Sequence, residues 1–249
     1  MSYKLLWKDE FEEDGMPNRA YWVMETGGHG FGNQEQQYYT NQSKNVYVKD
    51  GILNIVAYKE TYENCEYTSA KLTTEGKKTI QNGRIEVVAK VPHGDGTWPA
   101  IWLLGNQFRK VNWPLCGEID LMEHVGHNPN VVHFSLHSKT NYFHKNNQPT
   151  KVITQEKIID QFHAYAMDWQ EDQITFYFDG IKQQTFYRPK NASMEQWPFN
   201  QGFYLIFNLA LGGTWGGFID DKIFPVTFQI KSVKVYEGCD DFGKEINNL

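Results

Sequence analysis

Polar and apolar residues alternate with a period of two along most of the chain. The pattern predicts strands at 46–48, 52–57, 84–91, 100–104, 118–123, 131–137, 163–169, 174–178, 181–186, 203–211 and 228–236, with another at the very start around Leu6-Trp7. Asp50-Gly51 and Asp179-Gly180 each fall between two such runs, and an Asp-Gly pair there turns a hairpin. No stretch of twelve residues carries a helical period. Turn-rich segments part the runs at short intervals, as in an antiparallel sandwich or barrel. No repeat, composition shift or Pro/Ser-rich linker divides the sequence. Residues 1–249 are therefore read as a single, nearly all-β domain, with 237–249 a polar tail lying loosely on the surface.

Composition narrows this picture. A chain of 249 residues can bury roughly 70% of its unfolded surface, so it needs no disulfide framework. Cys65, Cys116 and Cys239 lack metal-like spacing and are read as buried or unpaired thiols. Cys116 is a poor nucleophile candidate, because the carboxylates of Glu118 and Asp120 close by raise its pKa. With 24 Lys+Arg against 30 Asp+Glu, the net charge of −6 argues against a nucleic-acid partner. No window approaches the roughly eighteen apolar residues of a membrane span. The start, MSYKLLWKDEF, lacks the apolar core of a secretory signal. The expected location is cytoplasmic if this is the full natural chain and extracellular if it is a mature form. A monomer is expected, since no seam or extra interface element shows in the pattern.

The chemistry concentrates in Gly117-Glu118-Ile119-Asp120-Leu121-Met122-Glu123-His124. On a regular strand Glu118 and Asp120 share a face and Glu123 points the other way. One extra residue, a β-bulge, would turn Glu123 onto the face of the other two, and bulges are enriched beside active sites. Alternating acids also suit a solvated strand face. Against that stand Trp98 and Trp102 just before, Trp113 five residues upstream of Glu118, and His133, Ser135 and His137 alternating on the next strand. Indole rings and convergent polar groups are what a sugar ring needs, with its apolar faces and hydroxyl rim. Two carboxyl groups on one face suit retaining glycoside hydrolysis, where they sit about 5–5.5 Å apart. One must be ionised to attack C1 and the other must keep its proton for the leaving oxygen. Asp120 between them holds a negative charge close to the acid and raises its pKa.

Glu118-Ile119-Asp120-Leu121-Met122-Glu123 resembles the bulged catalytic signature of glycoside hydrolase family 16, in its laminarinase-like (endo-β-1,3-glucanase) branch. Leu6-Trp7-Lys8-Asp9-Glu10-Phe11 is similar to the opening strand of that family, and Gly28-His29-Gly30-Phe31-Gly32-Asn33-Gln34-Glu35 to the loop bordering its cleft. Gly83-Arg84-Ile85-Glu86, the run from Gly94 to Trp102, Asn208-Leu209-Ala210-Leu211-Gly212-Gly213 and Trp215-Gly216-Gly217 continue the match in order along almost the whole chain.

The resemblance implies a β-jelly roll, an all-β sandwich of two curved antiparallel sheets with the substrate cleft on the concave face. It implies Glu118 as nucleophile, Glu123 as acid/base, Asp120 as the assisting carboxylate and His137 as the histidine beside the acid/base. It further implies Trp98, Trp102 and Trp113 as sugar platforms, with Asn33, Arg84 and Asn208 as hydrogen-bonding partners. Each has a bland competitor: either tryptophan of 98 and 102 as core, or Arg84 paired with Glu86 or another acid. The implied activity is hydrolysis of β-1,3-glucan or mixed β-1,3/1,4-glucan without a cofactor. The alternatives are the same mechanism on agar, carrageenan, porphyran or xyloglucan, and a non-catalytic β-glucan-binding module. Relatives often hold a structural calcium through an Asp early in the last strand. Lys231 stands at that place, which makes a calcium site doubtful.

Overall fold

The structure is a computed structural model that describes residues 3–159 and 161–238. Two sheets pack face to face. In the first the strands run, edge to edge, Thr150–Thr154, Val131–His137, Glu118–Glu123, Thr97–Gly105, Phe203–Leu211, Lys71–Thr73 and Val23–Glu25. In the second the order is Ile181–Tyr187, Gln173–Phe178, His163–Trp169, Gly83–Lys90, Val226–Glu237, Ile52–Tyr62, Cys65–Ser69 and Gln37–Tyr39. Lys4–Asp9 adds to the second sheet beside Val226–Glu237, and Val46–Lys49 beside Ile52–Tyr62. Pairing is antiparallel throughout, apart from Gln37–Tyr39 on Cys65–Ser69. This is the expected β-jelly roll. Among the described residues the helices are single turns, such as Phe108–Val111 and Gly213–Gly216.

Alternation builds the core between the sheets. Along Phe203–Leu211 the side chains of Phe203, Leu205, Phe207, Leu209 and Leu211 enter it, and Tyr204, Ile206, Asn208 and Ala210 face the other way. Ile85, Val87 and Ala89 of the second sheet meet that layer, and Arg84 and Glu86 between and beside them point outward. All the long predicted strands are present. Val23–Glu25, Gln37–Tyr39, Cys65–Ser69, Lys71–Thr73 and Thr150–Thr154 are three to five residues long and are additional to the predicted strands. Glu237 closes the last strand and pairs with Lys4, so it does not belong to a loose tail. Residues 239–249, with Cys239, lie outside the described residues. Cys65 and Cys116 are free and buried, and burial pushes the Cys116 thiol up to about 12, in keeping with an inert role.

Candidate active site

The outward face of the first sheet is the floor of a cleft of about 590 Å³. Cross-strand neighbours share a face, so the floor can be read in rows. One row runs Glu25, Lys71, Asn208, Ala100, Glu123, His133. The next runs Ile206, Trp102, Asp120, Ser135, Thr150. A third holds Tyr204, Leu104, Glu118 and His137. The three acids thus occupy successive rows of one strand, and all line the cleft.

The expected bulge is what aligns them. Asp120 stands opposite Trp102, yet Met122 stands opposite Ile101 and Glu123 opposite Ala100. The ladder on the other side slips at the same point, between Asp120 and Glu123. One residue is left out of register, and the facing of every later side chain inverts. Gly117 sets the start of the strand with φ 79°, where a Cβ would meet Pro198 Cγ at 2.7 Å.

Burial dominates the electrostatics. It raises Asp120 and Glu123 to about 8 each and pushes Glu118 well above the carboxylate range. The negative charge of Asp120 adds to the rise at both glutamates. Three acids this close and this dry do not all ionise near neutrality, so the group as a whole keeps protons there. Their surroundings differ. His137 Nε2 lies 3.1 Å from Asp120 Oδ2 and 3.7 Å from Glu118 Oε1. The indole of Trp113 also favours the anionic form of Glu118, although its Nε1 completes no hydrogen bond of normal geometry. Glu123 Oε1 accepts from Trp98 Nε1 at 3.3 Å. His137 opposes the rise at both glutamates, and a tryptophan N–H does so at each, Trp113 at Glu118 and Trp98 at Glu123.

Most of the expected residues converge here, with corrections. Trp98 and Trp102 line the cleft, the first edge-on to Trp215 with ring centroids 5.4 Å apart. Asn33 and Asn208 line it too, with part of their hydrogen bonding committed. Asn33 Nδ2 donates to Glu35 Oε1 at 3.4 Å, and Asn208 Oδ1 accepts from Trp102 Nε1 at 2.7 Å. Trp113 is not among the lining side chains. It packs edge-on to Tyr142 at 5.3 Å and near His137 at 6.1 Å, a wall behind Glu118 more than a platform. His137 is opposite Glu118, and the histidine across from the expected acid/base Glu123 is His133.

Arg84 is not in the cleft. It lies on the outer face of the second sheet, bound to Asp168 at 2.9 Å and Glu86 at 3.3 Å and stacked on Tyr177. Alternation fixes the face of a strand and leaves open which sheet owns it. Three cleft residues, Glu35, Thr214 and Trp215, and Lys71 beside Trp102 escaped the sequence reading. Glu35 is a carboxyl raised by burial that accepts from Gln37 and Tyr39, and it sits in the quoted loop without having been singled out. Lys71 lies on a three-residue strand additional to the predicted ones. Trp215 and Thr214 come from the glycine-rich turn, whose lone tryptophan was the available signal.

Two places bear on metals. Glu118, Asp120 and His137 offer ligand atoms all within 4.8 Å of one another, and the same closeness serves proton sharing without an ion. The second is the last strand, where the resemblance puts an Asp ligand for calcium and this chain has Lys231. Lys231 sits exposed at a register shift of that strand. In an acid-lined hollow formed by residues 8–13 with Met16, Asn18 and Val48, Asp9 accepts from Trp22 Nε1 and Phe11 N, and Glu10 is paired with Lys8 and Lys234.

Comparison with known proteins agrees with this geometry. The sequence profile of glycosyl hydrolases family 16 matches residues 33–221. A β-glucanase of Rhodothermus marinus is 42% identical over 246 residues, covering 94% of this chain and 85% of that protein. The X-ray structure of the laminarinase from Rhodothermus marinus superposes with a TM-score of 0.92 at 41% identity, covering 95% of this chain and 98% of that one. A non-specific endo-β-1,3(4)-glucanase of the family, co-crystallised as a mutant with 1,3-β-D-cellotriosyl-glucose, superposes with a TM-score of 0.91 at 36% identity, covering 95% of both chains. The chain described here belongs to glycosyl hydrolases family 16.

Proposed function

We propose that the protein is a retaining endo-β-1,3-glucanase that hydrolyses laminarin-type β-1,3-glucan, and mixed β-1,3/1,4-glucan, by double displacement. The observation that carries this reading is the bulge that sets Glu118, Asp120 and Glu123 on one face of a tryptophan-lined cleft. Glucanases of both linkage types stand among its relatives.

In the first step Glu123 gives its proton to the glycosidic oxygen while a Glu118 oxygen attacks C1. The C1–O bond breaks, the departing chain leaves as an alcohol, and the sugar is held as an ester of Glu118. Glu123, now ionised, takes a proton from water as that water attacks C1. The ester bond breaks, and Glu118 returns as a carboxylate with Glu123 protonated again. Asp120 contributes charge: while ionised it strengthens the hold of Glu123 on its proton. His137 opposes the rise at Glu118 and Glu123 alike, and Trp113 opposes it at Glu118. Every step uses side chains of this chain, so the reading includes no cofactor, and the cations already paired with Glu10 stand in for structural calcium. A non-catalytic module would have no use for three carboxyls converging in one cleft.

The test is a reducing-sugar assay on laminarin, mixed-linkage β-glucan, agarose and κ-carrageenan with Glu118→Gln as control. Hydrolysis of the glucans that disappears in the variant is expected. Activity confined to a galactan would overturn the substrate, and laminarin binding without turnover would overturn the enzyme.

A further inference from the structure

Lys71 is only 8% exposed. Its strand neighbours, Asn208 on one side and Glu25 on the other, put it on the cleft face, on the far side of Asn208 from the acids. A lysine so buried needs partners, because an unpaired ammonium out of water is costly. Its Nζ is 2.9 Å from Glu25 Oε2, 4.9 Å from the ring centroid of Phe31 and 5.3 Å from that of Trp102. One carboxylate and two aromatic faces therefore hold the charge, and such cation–π contacts strengthen as water is excluded. Trp102 is the member of this group that lines the cleft. Its N–H edge is pinned to Asn208 Oδ1 at 2.7 Å, and Asn208 Nδ2 in turn donates to Tyr39 OH at 3.0 Å. The ring also packs against the buried cluster of Leu104, Cys116, Tyr204 and Ile206, which leaves its other face to be held. The Lys71 ammonium supplies a fixed charge near that ring.

We propose that Lys71 is the positioning residue of the Trp102 platform, an ammonium anchored by Glu25 that locks the indole in its sugar-stacking orientation and ties it to Phe31 of the bordering loop. This rests on the reading of Trp102 as a sugar platform. A methionine has similar length and no charge, so it fills the space without holding the ring. Arginine keeps the charge and stacks on aromatic faces. Lysine retained only for sheet stability would lower Tm on substitution and leave substrate affinity alone.

The experiment compares Lys71→Met, Lys71→Arg and Glu25→Gln with the wild type on laminari-oligosaccharides. Lys71→Met is expected to raise KM about tenfold, equivalent to about 1.4 kcal/mol, with kcat within about twofold, and Lys71→Arg to recover most of the loss. Unchanged KM in Lys71→Met, or KM and kcat spoiled together with no recovery in Lys71→Arg, would overturn the proposal. Should Lys71→Met not fold, Glu25→Gln decides: a raised KM supports the anchor and a wild-type KM refutes it. A second readout needs no substrate. In protein labelled with 5-fluorotryptophan, the ¹⁹F resonance assigned through Trp102→Phe should shift or broaden in Lys71→Met and Glu25→Gln. An unmoved Trp102 resonance would end the proposal even if the glucan reading stood, and a moved one would sustain it even if no glucan were cleaved.

Discussion

Glu123 stands opposite His133 in the strand ladder, and that pairing exists because the chain between Asp120 and Glu123 spends three residues where its partner strand spends two. The slip turns an acid that would face the core into one that faces the cleft. Placing it on that face, in turn, is what gives it a raised pKa: the same carboxyl now shares a dry floor with Asp120 and Glu118.

That coupling predicts the alkaline side of the pH profile. Glu123 must be protonated in the first step, and it is raised to about 8, so kcat/KM should fall as pH rises through about 8. Asp120→Asn removes a like charge, lowering the hold of Glu123 on its proton. The alkaline limb of kcat/KM should move down by on the order of one pH unit, together with a loss of rate. A limb that stays in place or moves up would show that Asp120 exerts no such charge.

The same burial makes the site a liability for the folded state. The pKa of Glu123 is about 8 when folded, against about 4.3 for an unperturbed glutamate. The folded protein therefore holds this proton more tightly than the unfolded chain does. Its contribution to stability is complete below about pH 4.3 and is lost as pH rises toward about 8. Glu123→Gln has no proton to lose, so its Tm should gain on the wild type between pH 5 and pH 8. Thermal melts at the two pH values check this, and a constant difference would refute it.

Arg84 gives the opposite pattern. Its guanidinium and the Asp168 carboxylate are 17% and 5% exposed as side chains, far from the cleft floor on the other sheet. Arg84→Met should cost about 2–3 kcal/mol, below the usual range for breaking a buried pair, because Tyr3 OH still donates to Asp168 at 3.0 Å. Melting should drop by several degrees while KM for glucan stays at the wild-type value. A raised KM would return Arg84 to the binding site.

How much of this was legible without coordinates follows from what alternation encodes. It gives the face of each residue within its own strand, so the strands, the pairing of Trp98 with Trp102 on one side, and the need for a bulge before Glu123 could all be read. It does not say which sheet a strand joins. Arg84 and Trp98 both sit in motifs next to the site in sequence, yet they end on opposite sides of the molecule. The strand Lys71–Thr73 is additional to the predicted ones, and Lys71 and its hold on Trp102 went unseen with it. The orientation of Trp113 depends on Tyr142 and Phe143, about thirty residues away, which no local pattern reports.

Calcium supplies an independent check on the surface away from the cleft. Lys8 and Lys234 pair with Glu10, the group in the hollow that already holds two cations. Millimolar calcium should leave Tm unchanged, and EDTA likewise. A calcium-dependent rise of several degrees would contradict the proposal that lysines replace the ion.

The most direct test of the account is the configuration of the first product. Attack by Glu118 followed by attack of water from the same face inverts C1 twice, so the new reducing end should appear as the β-anomer and only later relax toward the α/β mixture. A ¹H NMR time course on a laminari-oligosaccharide with a large amount of enzyme resolves this within minutes. β-Anomer first, with no signal from Glu118→Gln, is the predicted result. α-Anomer first would mean a single displacement by water, and the assignment of Glu118 as nucleophile would fall.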